Sequence, residues 1–128
     1  MNHWVAGYVD WNMVLDVQGK PRWNKPNGTN ANAGITVDAV KQEYYKEPLF
    51  YGLGHFSKFI VPDSIKIGLT EDRHLTNVFS TAFERPDGAV VVVVFNGNDK
   101  SIEININEDK QEISHTIKAH SIQTYIYY

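Results

Sequence analysis

Asp10 and Trp11 stand side by side at the end of an apolar run over residues 4–11 (Trp-Val-Ala-Gly-Tyr-Val-Asp-Trp). An indole offers one flat apolar face and one N–H donor. A carboxylate beside it can accept a hydrogen bond from a ligand hydroxyl or pair with an arginine elsewhere. The same two residues would serve as a rim aromatic and its polar neighbour, so residue types alone leave both uses open. The chain has 15 Asp and Glu residues, and none except Asp10 stands in a context that suggests acid–base work. Five histidines, His3, His55, His74, His115 and His120, show no metal-ligand spacing. There is no cysteine, which excludes disulfides, a catalytic thiol and thiolate-bound metal. No metal and no cofactor is expected.

These residues must be held by surrounding elements. At 128 residues the chain is the size of one domain, or of a small domain plus a piece of another. Hydrophobic residues make up 42% and charged residues 21%, so the composition is that of a folded chain. A net charge of -3 argues against nucleic acid as a partner, because phosphate binding needs a basic face. The start, Met1-Asn2-His3-Trp4, shows no basic and apolar leader pattern. The longest apolar run, residues 89–95, is far too short to cross a bilayer as a helix.

The character of the chain changes near Pro62-Asp63. Residues 4–11 show little alternation, as in a strand buried on both faces. Residues 16–34 are rich in Asn, Gly, Pro and Lys and predict a long loop; a loop of that length is usually functional or mobile. Asn27 and Asn30 lie in it, and Asn27-Gly28-Thr29 is an N-glycosylation triplet. Asp38 is expected to cap a short helical turn. Pro48 suits a helix's first turn. Leu49, Leu53, Phe56 and Ile60 then recur at helical spacing, which predicts an amphipathic helix to about Phe59.

After Pro62 the pattern is strand and turn. Strands are expected over residues 65–69, 75–84, 89–95, 102–106, 112–117 and 121–128. Arg85-Pro86-Asp87-Gly88 and Asn96-Gly97-Asn98-Asp99 supply turns. The order implies an antiparallel sandwich. About 65 residues make a thin one, so a strand or two from elsewhere in a longer chain is expected. The terminal Tyr125, Tyr127 and Tyr128 are read as sandwich packing and chain end rather than as a sugar platform.

Several stretches resemble glucosylceramidases of glycoside hydrolase family 30. The most specific runs Tyr45-Lys46-Glu47-Pro48-Leu49-Phe50-Tyr51-Gly52-Leu53-Gly54-His55-Phe56-Ser57-Lys58-Phe59-Ile60. Gly7-Tyr8-Val9-Asp10-Trp11-Asn12-Met13-Val14-Leu15, with Gly19 and Pro21, resembles the family's last barrel strand and the loop after it. Pro86-Asp87-Gly88-Ala89 through Phe95-Asn96, and His120-Ser121-Ile122-Gln123-Thr124-Tyr125, resemble its C-terminal β domain. The similarity runs collinearly along nearly the whole chain.

The resemblance implies a mixed, mostly β fold. Residues 1–61 would be the last strand and helix of a (β/α)8 barrel, and residues 62–128 an antiparallel Ig-like β-sandwich. It implies a retaining hydrolase acting on glucosylceramide, in which Trp11 lines the glucose pocket and Asp10 supports it. A loop Asn, Asn27 or Asn30, would bond the sugar; a glycan on Asn27 would compete with that role. It further implies a lysosomal or secretory-pathway parent, the remainder of the barrel as partner, a saposin-type activator and peripheral membrane contact. A β-glycanase of the same family, or a non-catalytic sandwich that binds carbohydrate or protein, are the alternatives.

Retaining glycosidases use two carboxyl groups roughly 5 Å apart. By resemblance both lie on barrel strands that precede this chain's residues. The purified 128-residue chain is therefore expected to show no turnover of a fluorogenic β-glucoside; clear turnover would refute that placement.

Overall fold

A computed structural model describes residues 2–3, 5–21, 31–108 and 111–128. These form two compact units, Met1–Gly54 and His55–Tyr128.

The second unit holds the main core. Strands β4 (Ile65–Ile67), β5 (Val78–Glu84), β6 (Val90–Asn96) and β9 (Ser121–Tyr127) form an antiparallel sheet in the order β4-β5-β6-β9. Strands β7 (Ile102–Glu108) and β8 (Gln111–Ile117) form a two-stranded sheet. Ala82, Val92, Val94 and Ile117 are buried together, and Ile102, Ile104 and Ile106 of β7 pack on them with Tyr125 and Tyr127 of β9. The expected alternation of β7 and the packing role of both tyrosines hold.

Strand β6 is enclosed on both faces: Val91, Val92, Val93 and Val94 are all at most 4% exposed. Burying each such side chain is worth roughly 1.5–3 kcal/mol, and β-branched residues suit the pleat. The register puts Ala82, Val92 and Tyr125 in one row and Thr81, Val93 and Thr124 in the next. Successive rows point to opposite faces.

The turns follow their residue types. Gly88 adopts φ 83°, where a side chain would strain the backbone. The Arg85 amide donates to the Ala89 carbonyl at 2.8 Å, and the Arg85 guanidinium meets the Asp87 carboxylate at 2.6 Å. Strand β5 begins at Val78 rather than Leu75, because Asn77 takes φ 57° and the Val78 amide closes a turn onto Leu75.

The second turn depends on Asn96, which is fully buried. Its Nδ2 lies within hydrogen-bonding reach of the carbonyls of Lys100 (2.8 Å), Lys118 (3.0 Å) and Ile117 (3.3 Å). Its Oδ1 accepts the Asn98 amide at 3.0 Å. One side chain thus ties the end of β6 to the ends of β7 and β8.

The two sheets differ in width. Beside β7 lies a cleft of about 860 Å³, floored by Ala82, Val92 and Val94 and walled by Ile67, Leu69 and Ile104. Ala82, Val92 and Val94 are themselves buried, and the mouth of the cleft is polar, with Glu71, Asp72, Arg73 and Glu103 along it.

The first unit departs from expectation in three places. The barrel strand expected over residues 4–11 is not formed: residues 5–10 have no regular structure, and Trp4 lies outside the described residues. A barrel strand draws hydrogen bonds from strands on both sides, and no described strand lies alongside this one. Second, a small sheet that the pattern did not predict flanks the expected loop: β1 (Val14–Asp16) runs parallel to β2 (Ile35–Asp38), which pairs antiparallel with β3 (Glu43–Lys46). Third, Asp38 does not start a helical turn. Its Oδ1 accepts the amides of Val40 and Lys41, both at 3.1 Å, as an N-cap would. Gln42 at φ 60° then turns the chain back into β3.

Helix α1 spans Pro48–Ser57, with Pro48 in the first turn as expected. It stops two residues before the predicted end, and the Ile60 amide closes onto the Phe56 carbonyl at 3.0 Å. None of its residues is fully buried.

Replacing Asn96 with Ala strands several carbonyls, at roughly 1–3 kcal/mol for each buried group left unpaired. Chemical denaturation of the N96A chain should show a loss of at least about 2 kcal/mol. A neutral result would mean that this hub does not hold the sandwich closed.

Candidate functional site

Trp11 and Asp10 lie in the first unit, immediately before β1. Trp11 is 66% exposed, and Tyr8 and Val9 beside it are 65% and 95% exposed. The Asp10 carboxylate accepts the Trp11 amide through Oδ1 at 2.8 Å. One oxygen of Asp10 is therefore spent on its neighbour's backbone. Asn27 and Asn30 lie outside the described residues.

Two residues next to this pair were not singled out from the sequence. Asn12 Nδ2 donates to the Pro21 carbonyl at 3.2 Å. Asp16 Oδ1 accepts the amides of Lys20 (2.8 Å) and Gln18 (2.9 Å). The Asp16 amide donates to the Lys20 carbonyl at 2.7 Å, and the Gly19 amide donates to the Asp16 carbonyl at 2.8 Å. Gly19 takes φ 72°, the left-handed conformation that such a turn requires. An Asp followed three residues later by Gly is a turn signature that could have flagged this. The loop after Trp11 is thus closed by its own side chains over residues 12–21.

Above the loop, the Ile35 amide donates to the Met13 carbonyl at 3.0 Å, and β1 pairs with β2 from Val14 onward. Leu15 is 2% exposed and anchors that strand. Trp11 is therefore the last side chain before a pinned frame, with its indole open to a ligand. An exposed indole of this kind can stack on an apolar face and donate one hydrogen bond. It cannot move protons. Among the described residues no group of three or more acidic or histidine side chains could hold a metal ion.

In the second unit, His55 stands in the last turn of α1. Its Nδ1 lies 2.7 Å from Thr124 Oγ1 on β9, and its ring tilts against Phe59. Burial pushes its pKa down from the usual value, because the charged imidazolium loses hydration.

Residues 1–60 match the glycosyl hydrolase family 30 TIM-barrel domain, and residues 63–125 match the glycosyl hydrolase family 30 β-sandwich domain. The chain belongs to glycosyl hydrolase family 30, carrying the end of its barrel and its β-sandwich.

Among curated relatives, lysosomal acid glucosylceramidase of Mus musculus is 36% identical over 124 residues, covering 96% of this chain and 23% of that protein. Putative glucosylceramidase 4 of Caenorhabditis elegans is 34% identical over 131 aligned residues, covering 99% of this chain and 25% of that protein. The chain spans about a quarter of the length of these relatives. Among solved structures, the endo-β1,6-glucanase BT3312 superimposes with a TM-score of 0.86 at 22% identity, covering 98% of this chain and 28% of that one. SrfJ from Salmonella typhimurium superimposes with a TM-score of 0.80 at 24% identity, covering 92% and 25%. At those identities the likeness concerns the fold.

The depressed His55 pKa carries a sign for stability. The unfolded imidazole titrates near the ordinary value of about 6.5, and the folded one titrates lower. Between those two values the unfolded state binds more protons, so stability is full above about 6.5 and falls as pH drops through that window. His55→Gln should flatten this part of a Tm-versus-pH curve; an unchanged acid limb would show that His55 does not contribute to it.

Proposed function

We propose that this chain is the C-terminal part of a retaining β-glucosidase that hydrolyses glucosylceramide. It gives the enzyme one wall of the sugar pocket and the sandwich that supports the barrel. On this reading the domain boundary falls near Pro62, between residues 1–61 and 62–128. The whole enzyme works through a glucosyl-enzyme intermediate, with nucleophile and acid/base on barrel strands outside this chain. Trp11 offers its indole to the glucose ring, and Asp10 supports it by holding the Trp11 amide.

The observation that carries the reading is the open apolar segment before β1. Tyr8, Val9 and Trp11 are strongly exposed, and a run of that kind is surface meant to be covered. The remaining strands of a barrel would cover one side of it, and a substrate would meet the indole. The glycolipid substrate is supported by the names of the relatives, which also support a lysosomal setting. A saposin-type activator and peripheral membrane contact belong to the same proposal. The loop Asn that would bond the sugar, Asn27, remains part of it.

The test is made on the whole enzyme that carries this chain on its barrel. Trp11→Ala should lower kcat/KM for a fluorogenic β-glucoside at least tenfold, or about 1.4 kcal/mol of transition-state stabilisation. Unchanged kinetics would refute the pocket-wall role. A reading frame that starts at Met1, giving a monodisperse folded product that binds carbohydrate without turnover, would favour the non-catalytic module.

A further inference from the structure

The geometry points to Asn12 and Asp16 as positioning residues that hold Trp11 at the sugar pocket. This rests on the pocket-wall reading of Trp11. Little packs over the indole, which is 66% exposed. Its placement therefore depends on the backbone that follows it, since side-chain packing fixes it only weakly.

That backbone is held from two directions. On one side β1 is paired to β2, and the Met13 carbonyl is bonded to the Ile35 amide at 3.0 Å. On the other side the loop over residues 12–21 is closed by two side chains. Asp16 gathers the amides of Lys20 and Gln18 on one oxygen, at 2.8 and 2.9 Å. Asn12 reaches across the loop to the Pro21 carbonyl at 3.2 Å. Asn12 is directly bonded to Trp11 in sequence, so a clasp that fixes Asn12 fixes the residue before it. If the clasp opens, the loop regains conformational freedom and the indole no longer stays over one position. Misplacement of this kind is expensive, because orientation is a large part of what a binding wall supplies.

The two residues make opposite chemical demands. Asp16 acts only as an acceptor, so Asn, which keeps the Oδ1 acceptor, should replace it. Asn12 acts as a donor, so Asp, which has no N–H and would put a carboxylate against a carbonyl, should fail. Asp16→Ala and Asp16→Asn remove the same charge, so net charge would not separate them, whereas loss of the acceptor would.

The experiment measures hydrolysis of a fluorogenic β-glucoside by the whole enzyme carrying Asn12→Asp, Asp16→Ala, Asp16→Asn or Trp11→Ala. The expected result is a KM raised about tenfold in Asn12→Asp and Asp16→Ala, with kcat changed far less. Asp16→Asn should stay close to the parent enzyme, and thermal unfolding should show all four variants folded. If Asp16→Ala does not fold, Asn12→Leu, which removes the donor without adding charge, decides beside Asp16→Asn. Parent-like KM in Asn12→Asp beside an impaired Trp11→Ala overturns this inference alone. A Trp11→Ala enzyme with parent-like kinetics overturns the pocket-wall reading, and this inference with it.

Discussion

A strand buried on both faces needs a layer of protein on each side, and β6 imposes that need on everything around it. Val91 and Val93 point one way, Val92 and Val94 the other, and all four are almost fully enclosed. The β7–β8 pair supplies one layer, through the isoleucines of β7 and Ile117 of β8. Pairing with β5 and β9 satisfies the backbone. Asn96, at the end of β6, then fixes where β7 starts and where β8 ends. Moving the register of β6 by one residue would exchange its faces and take Asn96 away from those carbonyls.

The elements that were readable in the sequence are those whose environment lies within the chain. The β-branched run at residues 89–95 and the alternating Ile102, Ile104 and Ile106 are strands because their partners are close in sequence. Pro48 and the turn at residues 85–88 act through local backbone geometry, and both behaved as their types demand. Residues 5–10 failed for the opposite reason. An unalternating apolar run becomes a strand only between neighbours, and the described residues provide none for it. The β1–β3 sheet was missed because its strands are only three and four residues long. The parallel β1–β2 pairing leaves no hairpin signal. Asp38 shows how one hydrogen-bond pattern serves two structures: capping amides two and three residues ahead fits a helix start or a tight reversal.

The candidate site divides in the same way. Trp11 and Asp10 could be named from their place at the end of an apolar run, but only the resemblance to the family implied a site there. Asn12 and Asp16 could not, because an Asn or Asp in a polar loop is ordinary until its partner is known. What distinguishes them is geometry: one donor reaching nine residues ahead, and one oxygen accepting two amides. Asn27 depends on a segment outside the described residues, so its competing uses are unchanged.

Chemistry and stability are thus unevenly spread over the chain. Among the described residues the sandwich half encloses most of the fully buried side chains, while Tyr8, Trp11, Tyr44, Tyr45 and Tyr51 of the barrel end are exposed. An apolar surface of that kind is costly for a chain standing alone; on the proposed reading, barrel strands cover part of it and the Trp11 indole stays open to substrate. Loop self-closure through Asp16 and Asn12 fits this division. Where packing cannot hold a functional side chain without covering it, hydrogen bonds behind it can, and they leave its face open. On the proposed reading, a barrel end built this way presents Trp11 to a sugar, while the sandwich has a core of its own.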